Sequence, residues 1–306
     1  MLDWNKKEKP IQGMMGLGGG VASRTLAGIA FTIGQVEFTT PGPHTWVAPE
    51  AAAHFGISIV VIGGGGGLGG RDGFNSMYGQ GGGGGGLRWR NAYPVTAGAS
   101  YAIQVGAGGQ NGPAYNGGDG GTSYFVGPSV LYAEGGTGGR NSTQSPGGGG
   151  SPTSSPLIGG GDGGFGYDSE GSGGGHGGGG GAGGYSGNGG NAKQPGVPGT
   201  NGAGGAGGAG FGGAGGVGIF GEGPNGSYNF NQGSGGSGGG NGGYYASPSE
   251  GGKGGLYGGG AGCVDNAGPF PEANADGGGG AVRIIWGTGR QFPNTGTGND
   301  GNPAPS

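Results

Sequence analysis

The chain has 306 residues, of which 104 are glycine and 19 are proline; 9% are charged, giving a formal net charge of -4. With 30% hydrophobic residues, many of them alanine, it lacks the material for one large apolar core, and its single cysteine, Cys263, excludes an intrachain disulfide framework. Of its 12 Lys and Arg residues, Lys6, Lys7, Lys9 and Arg24 lie near the start, so the body carries no clustered basic stripe of the kind nucleic acid requires.

Residues 1–30 stand apart by composition. Trp4, the basic cluster and Pro10 lead into an apolar, glycine-punctuated stretch with adjacent Met14 and Met15 and no helical or strand period. It contains no apolar run of signal-peptide type, so no classical secretory signal is expected. Methionine adapts to irregular surfaces, which makes the segment a candidate docking peptide with Trp4, Met14 and Met15 as its contacts. The alternative is a poorly ordered leader.

From Phe31 the pattern changes to strands. Val36, Phe38, Thr45, Trp46 and Val47 around Pro41-Gly42-Pro43 predict two short strands and a connection. A third strand is predicted from His54 through Ile62, with Ile57, Ile59 and Val61 on one face and Val60 and Ile62 on the other. This longest aliphatic run is far below the roughly 20 residues of a membrane span. Further strands are expected at 87–89, at Tyr101, Ile103 and Val105, and across 124–132, each ending in a block of glycine. A late strand, with Val282, Ile284 and Trp286 alternating with Arg283 and Ile285, has partners only among the strands before residue 135.

Between them lies the densest glycine. Read in threes, 202–218 puts Ala203, Ala206 and Ala209 on one phase and Ala214 and Val217 on another. Three residues per turn is the period of the polyproline II helix, whose backbone is open on all sides. Glycine lets such helices approach until their own N–H and C=O groups pair, which answers the requirement that buried backbone be hydrogen-bonded. Glycine and proline together make up roughly 40% of the chain, beyond the ~25–30% that by itself signals low complexity or disorder. Three features point to order instead: the glycine comes in blocks, turn residues and aromatics separate the blocks, and strands flank them. The Gly-X-Y repeat of collagen is absent. The predicted fold is all-β, a jelly-roll-like β-sandwich with an inserted polyglycine II bundle and almost no α-helix. Its expected parts are a docking peptide at 1–30, a sandwich at 31–135 completed by 279–288, a glycine bundle at 136–278 and a tail at 289–306.

The residues do not assemble a catalytic constellation, and no enzyme activity or cofactor is expected. His44 is expected in a turn, His54 at the start of a strand and His176 in a glycine run, Cys263 has no CxxC partner, and no helix follows any of the many chance GxGxxG matches. Gly163, Gly164, Gly166 and Asp168 match the start of a Ca²⁺-binding nonapeptide, but Glu170 stands where a large apolar residue belongs and no second copy follows. No metal site is expected. Aromatics at the edges of glycine runs, among them Tyr167, Tyr185, Phe220, Tyr228, Phe230, Tyr244, Tyr245 and Tyr257, serve either recognition or the covering of bundle faces.

The pattern of 36–50, the strand running into 63–67, 93–109 and the closing 277–286 resembles the glycine-rich domain of bacteriophage tail and virion structural proteins, with a leader similar to that of cyanophage-like viruses. It is also similar to the polyglycine II adhesins at the tips of T-even-like long tail fibres, from which it differs in wrapping a β-module around the glycine region. The resemblance implies a virion tail-fibre or surface protein, extracellular when released, acting as a receptor-binding adhesin. Its expected partners are other virion proteins or itself through residues 1–30, and a host surface glycan or outer-membrane protein, with no nucleic acid and no membrane insertion. Loops 141–155 and 228–231 are the expected contacts, with Tyr228, Phe230, Tyr244 and Tyr245 as receptor-facing residues. Two alternatives stand beside this: a structural subunit of a fibre or extracellular filament, and an ice-binding protein on the same helix type. Ice binding wants a flat array of small residues such as Thr, and the threonines here are scattered.

Overall fold

The computed structural model describes residues 33–69, 80–112, 116–140, 158–167, 177–192, 198–208, 212–229, 232–243, 252–262 and 275–293. The fold is all-β, with two antiparallel sheets. The five-stranded sheet runs β1 (Gly34–Phe38), β9 (Ala281–Trp286), β3 (Ile57–Ile62), β4 (Leu87–Tyr93), β8 (Ile158–Gly161). The four-stranded sheet runs β2 (Gly42–Val47), β5 (Ser100–Val105), β6 (Ser123–Phe125), β7 (Leu131–Ala133). As the sequence required, the late strand joins the early ones: β9 lies between β1 and β3, with Val36 opposite Ile284 and Ile59 opposite Ile284 on its other side.

Strand β3 is buried along its whole length, and apolar but for Ser58, whose hydroxyl donates to Arg290 O, because both of its faces are covered. Ile57, Ile59 and Val61 point between the sheets onto Ile103, Val105, Phe125 and Leu131, while Val60 and Ile62 face the other way, onto Tyr185, Val217 and Ile219 of the glycine-rich body. The five-stranded sheet is therefore a middle layer. Its two edge strands share a device: Gly34 lies opposite Trp286 and Gly159 opposite Trp89, and a Cβ on either glycine would lie 2.3 Å or 2.1 Å from the indole ring. An aromatic laid over a strand glycine restores the packing surface that the glycine lacks.

Two elements depart from the sequence expectation. The strand predicted from His54 begins at Ile57, and the preceding residues form a short helix, α1 (Glu50–Phe55), entered after Pro49 and ended by Gly56 at φ 71°. His54 thus sits in the last turn of a helix. Strand β8 has no counterpart among the expected strands, since its sequence, IGGG, offers no side-chain alternation.

The glycine-rich body is a hydrogen-bonded lattice of period three. From the segment 63–69, the amides of Gly63, Gly66 and Gly69 donate to Gly86, Gly83 and Gln80; those of Gly64 and Gly67 to Gly121 and Gly118; those of Gly65 and Leu68 to Gly278 and Ala275. Its carbonyls are read in the same rhythm: Gly64 and Gly67 accept from Gly136 and Gly139, Gly65 and Leu68 from Gly109 and Gly112, and Gly66 from Ala261. One chain bonded to six neighbours in three alternating directions is the polyglycine II arrangement, and no β-ladder can produce it. Segments 177–184, 212–218 and 258–262 are likewise surrounded and hydrogen-bonded on all sides.

The lattice admits little besides glycine, because the position a Cβ would occupy is already filled by a neighbour's carbonyl. On Gly66 a Cβ would lie 2.1 Å from the Thr137 oxygen, and on Gly65 2.0 Å from the Gly259 oxygen. The lattice also starts earlier than residue 136. Segments 63–69, 80–86, 106–112, 117–121 and 134–139, each continuing or leading into a strand, belong to it together with the later glycine. Gly63 pairs with Gly86 beside the strands, and Gly69 pairs with Gln80 about 19 Å further out at the 3.1 Å rise of such a helix. The lattice therefore has a near end, on the sheets, and a far end.

One buried cation fastens the sheet to the lattice. The Arg283 side chain is fully buried, donates to Gln35 Oε1 at 2.6 Å and to Ile219 O at 3.3 Å, lies 3.5 Å from Glu37 and stands over the Phe220 ring at 4.5 Å. Arg290 donates to the same Gln35 oxygen at 2.8 Å.

A candidate recognition surface on the lattice

At its periphery the lattice runs out of neighbouring backbone, and short polar side chains replace the missing carbonyls. Asn188 and Asn191, three residues apart and so on one face of their helix, accept from the amides of Asp162 at 2.9 Å and Phe165 at 3.0 Å. Thr200 Oγ1 accepts from Asn191 N–H at 2.8 Å, and Asn201 Oδ1 from Tyr228 N–H at 2.7 Å. Asp119, Asn241 and Asp276 do the same for Gly138, Gly235 and Asn111. In these seven cases an outward backbone donor is satisfied by an Asx or hydroxyl oxygen.

Four of these segments lie side by side: 161–167, 187–192, 198–201 and 226–229. The Ala192 amide donates to Phe165 O, the Thr200 amide to Asn191 O, and Gly202 bridges Gly226. Along this side Phe165 is 57% exposed, Asn188, Asn191, Thr200, Asn201 and Asn229 are exposed, and Tyr228 is half-buried. Burial pushes the Tyr228 phenol up from its ordinary value, opposed by a hydrogen bond from the Gly199 backbone. The one carboxylate on these four segments, Asp162, is paired with Arg88 at 2.7 Å.

Of the residues expected to face a receptor, Tyr228 is at this surface. Phe230, Tyr244 and Tyr245 lie outside the described residues, as do Trp4, Met14 and Met15 of the proposed docking segment, together with His176, Cys263, Asp168 and Glu170. Among the described aromatics that flank glycine, some turn inward and others outward. Tyr185, Phe220 and Tyr257 turn inward against the five-stranded sheet, where Tyr185 donates to Gly218 O and accepts from Gly221 N–H. Phe165 and Tyr228 turn outward.

Asn188, Asn191 and Thr200 are not among the residues expected at a binding surface; the one sequence signal for them is the three-residue spacing of the two asparagines, matched by that of Asp162 and Phe165. The glycines of the calcium-like half-repeat have a packing explanation: a Cβ on Gly164 would lie 2.1 Å from Gly190 O, and one on Gly166 2.2 Å from Gly81 O. Among the described residues no group of three His, Cys, Asp or Glu side chains comes together.

Comparison with known families matches residues 38–304 to the glycine-rich domain family. No curated protein matches the chain.

Proposed function

We propose, from the premise that the chain belongs to the glycine-rich domain family, that it is a bacteriophage virion protein of the tail or tail fibre, acting as an adhesin on the host cell envelope. The observation that carries the reading is the polarity of the lattice. Packed sheets lie at its near end, while away from them neighbouring helices are tied side by side by Gly69 to Gln80, Gly112 to Leu68, Tyr167 to Gly178, Gly208 to Gly179, Gly213 to Gly243 and Gly262 to Gly252. Such a scaffold returns the chain repeatedly to one surface on rigid supports, which suits display.

Residues 1–30 would then attach the protein to another virion component or to a second copy. Purified full-length protein should compete with virions for adsorption to host cells, and antibodies to it should label a few sites at the tail. Labelling of a continuous array, with no competition for adsorption, would identify a structural subunit instead. Removing residues 1–30 should leave a folded body that no longer incorporates into virions, and incorporation of the truncated protein would exclude the docking role.

A further inference from the structure

We propose that the side of the lattice carrying Phe165, Asn191, Thr200 and Tyr228 binds an uncharged oligosaccharide laid across the helices. The proposal rests on the adhesin reading and names the ligand class that one surface of it would take. The surface is built by the lattice. Segments 161–167, 187–192, 198–201 and 226–229 are neighbours in that order, tied by Phe165 N–H to Asn191 Oδ1 at 3.0 Å, Asn191 N–H to Thr200 Oγ1 at 2.8 Å, and Tyr228 N–H to Asn201 Oδ1 at 2.7 Å. Chains joined through such bonds run about 5 Å apart, so three steps put the two aromatic segments at most about 15 Å apart. That is the length of a trisaccharide.

The chemistry along the row fits a sugar. Phe165, 57% exposed, and the half-buried Tyr228 stand at its two ends, and aromatic side chains combine a large apolar surface with, in tyrosine, a polar tip, which suits them to recognition. Asn191 directs its Oδ1 to the lattice, which leaves its Nδ2 donors to the solvent side, and Thr200 keeps a hydroxyl proton after accepting with its oxygen. Amide and hydroxyl donors between aromatic ends match the alternating C–H faces and hydroxyl rims of pyranose rings.

Other partners fit less well. Nucleic acid needs cations, and none lies on these four segments. A protein partner needs about 1,000 Å² with an apolar core, whereas this row is narrow and rich in amides. An anionic glycan would find no free cation on these four segments, where the one carboxylate, Asp162, already holds Arg88.

The full-length protein would be titrated calorimetrically with neutral tri- to pentasaccharides of glucose, galactose, mannose and N-acetylglucosamine, and with a sialylated trisaccharide as the charged control. At least one neutral oligosaccharide should bind and the sialylated one should not. Phe165→Ala and Tyr228→Ala should each weaken binding at least tenfold. Asn191→Asp should do so as well: it keeps the oxygen that the Phe165 amide needs while replacing the outward donors by a charge, so its thermal midpoint tests folding separately.

Absence of binding by any neutral oligosaccharide in the series, or binding unchanged in Phe165→Ala and Asn191→Asp, overturns the proposal. If the protein still blocks virion adsorption in that case, the adhesin reading survives without this site. If an oligosaccharide binds through these residues and adsorption is unaffected, the site stands and the adhesin reading falls.

Discussion

At Gly207 an added Cβ would lie 1.8 Å from the Asn191 carbonyl oxygen, and at Gly204 2.3 Å from the Ala182 oxygen, whereas the neighbouring Ala206 is fully buried with its methyl accommodated. A Cβ far inside contact distance cannot be absorbed by rotation, because the obstacle is backbone that is itself hydrogen-bonded. Overpacking a well-filled interior costs about 1–3 kcal/mol and sometimes more. Val at Gly204 or Gly207 falls at the severe end, while Ala206→Ser changes one small group. Thermal denaturation should show a large drop in midpoint for Gly204→Val and Gly207→Val and a small one for Ala206→Ser; equal midpoints would mean that this segment is not part of a packed lattice. The same residue-scale rule explains where alanine is tolerated: Ala182, Ala206, Ala214 and Ala261 are all buried within lattice segments.

Among the elements, β9 carries the greatest consequence, since it closes the middle sheet between β1 and β3 more than two hundred residues after them in the chain. Truncation after residue 280 should leave β1 without its partner, uncover Val60, Ile62 and Leu87, and abolish cooperative urea unfolding; a truncated chain with an unchanged transition would refute the layer arrangement. What could be read beforehand follows from how each element is stabilised. Strands β3, β5 and β9 bury side chains, so their two-residue alternation was visible, down to the faces of Ile59 and Val60. The lattice showed itself as a period of three in 202–218. Helix α1 is short and has no side-chain cap on its first turn, and β8 is held by backbone pairing and by Trp89 lying over Gly159, so neither left a pattern in its own residues. The outward row at Phe165 and Asn191 was missed for a different reason. Its aromatic and its asparagines lie in separate glycine runs, and only the lateral order of the helices brings them together.

The molecule as a whole is stabilised by backbone pairing to an unusual degree, with side-chain packing concentrated at the sheets and at their contact with the lattice. Tyr185 lies at that contact, fully buried, and burial raises its phenol far above the ordinary value against smaller opposing effects of the Gly221 hydrogen bond and Arg283. Burial also raises the phenols of Tyr257 and Tyr228. A group that binds its proton more tightly when folded stabilises the fold fully below its unfolded pKa and loses that contribution as pH rises toward the folded one. Stability should therefore hold up to about pH 10, where an unfolded tyrosine titrates, and fall beyond it. Urea midpoints taken from neutral to strongly alkaline pH test this. Tyr185→Phe should flatten the alkaline decline while lowering stability by roughly 1–2 kcal/mol at neutral pH, because Gly218 O and Gly221 N–H each lose a buried partner. An identical decline in the variant would assign the alkaline sensitivity elsewhere.

Asn-Gly is among the most chemically perishable dipeptides in proteins, since the glycine nitrogen can attack the asparagine side chain, close a succinimide and leave aspartate or isoaspartate behind. Asn111, Asn116, Asn188, Asn201, Asn225 and Asn241 are all followed by glycine, and the amide of that glycine is in every case a lattice donor, to Leu68, Gly139, Asp162, Gly226, Gly202 and Gly233 respectively. The bonds that order the fold thus occupy the nitrogen that ageing would use, and a sequence that should spoil quickly as a free chain becomes durable when folded.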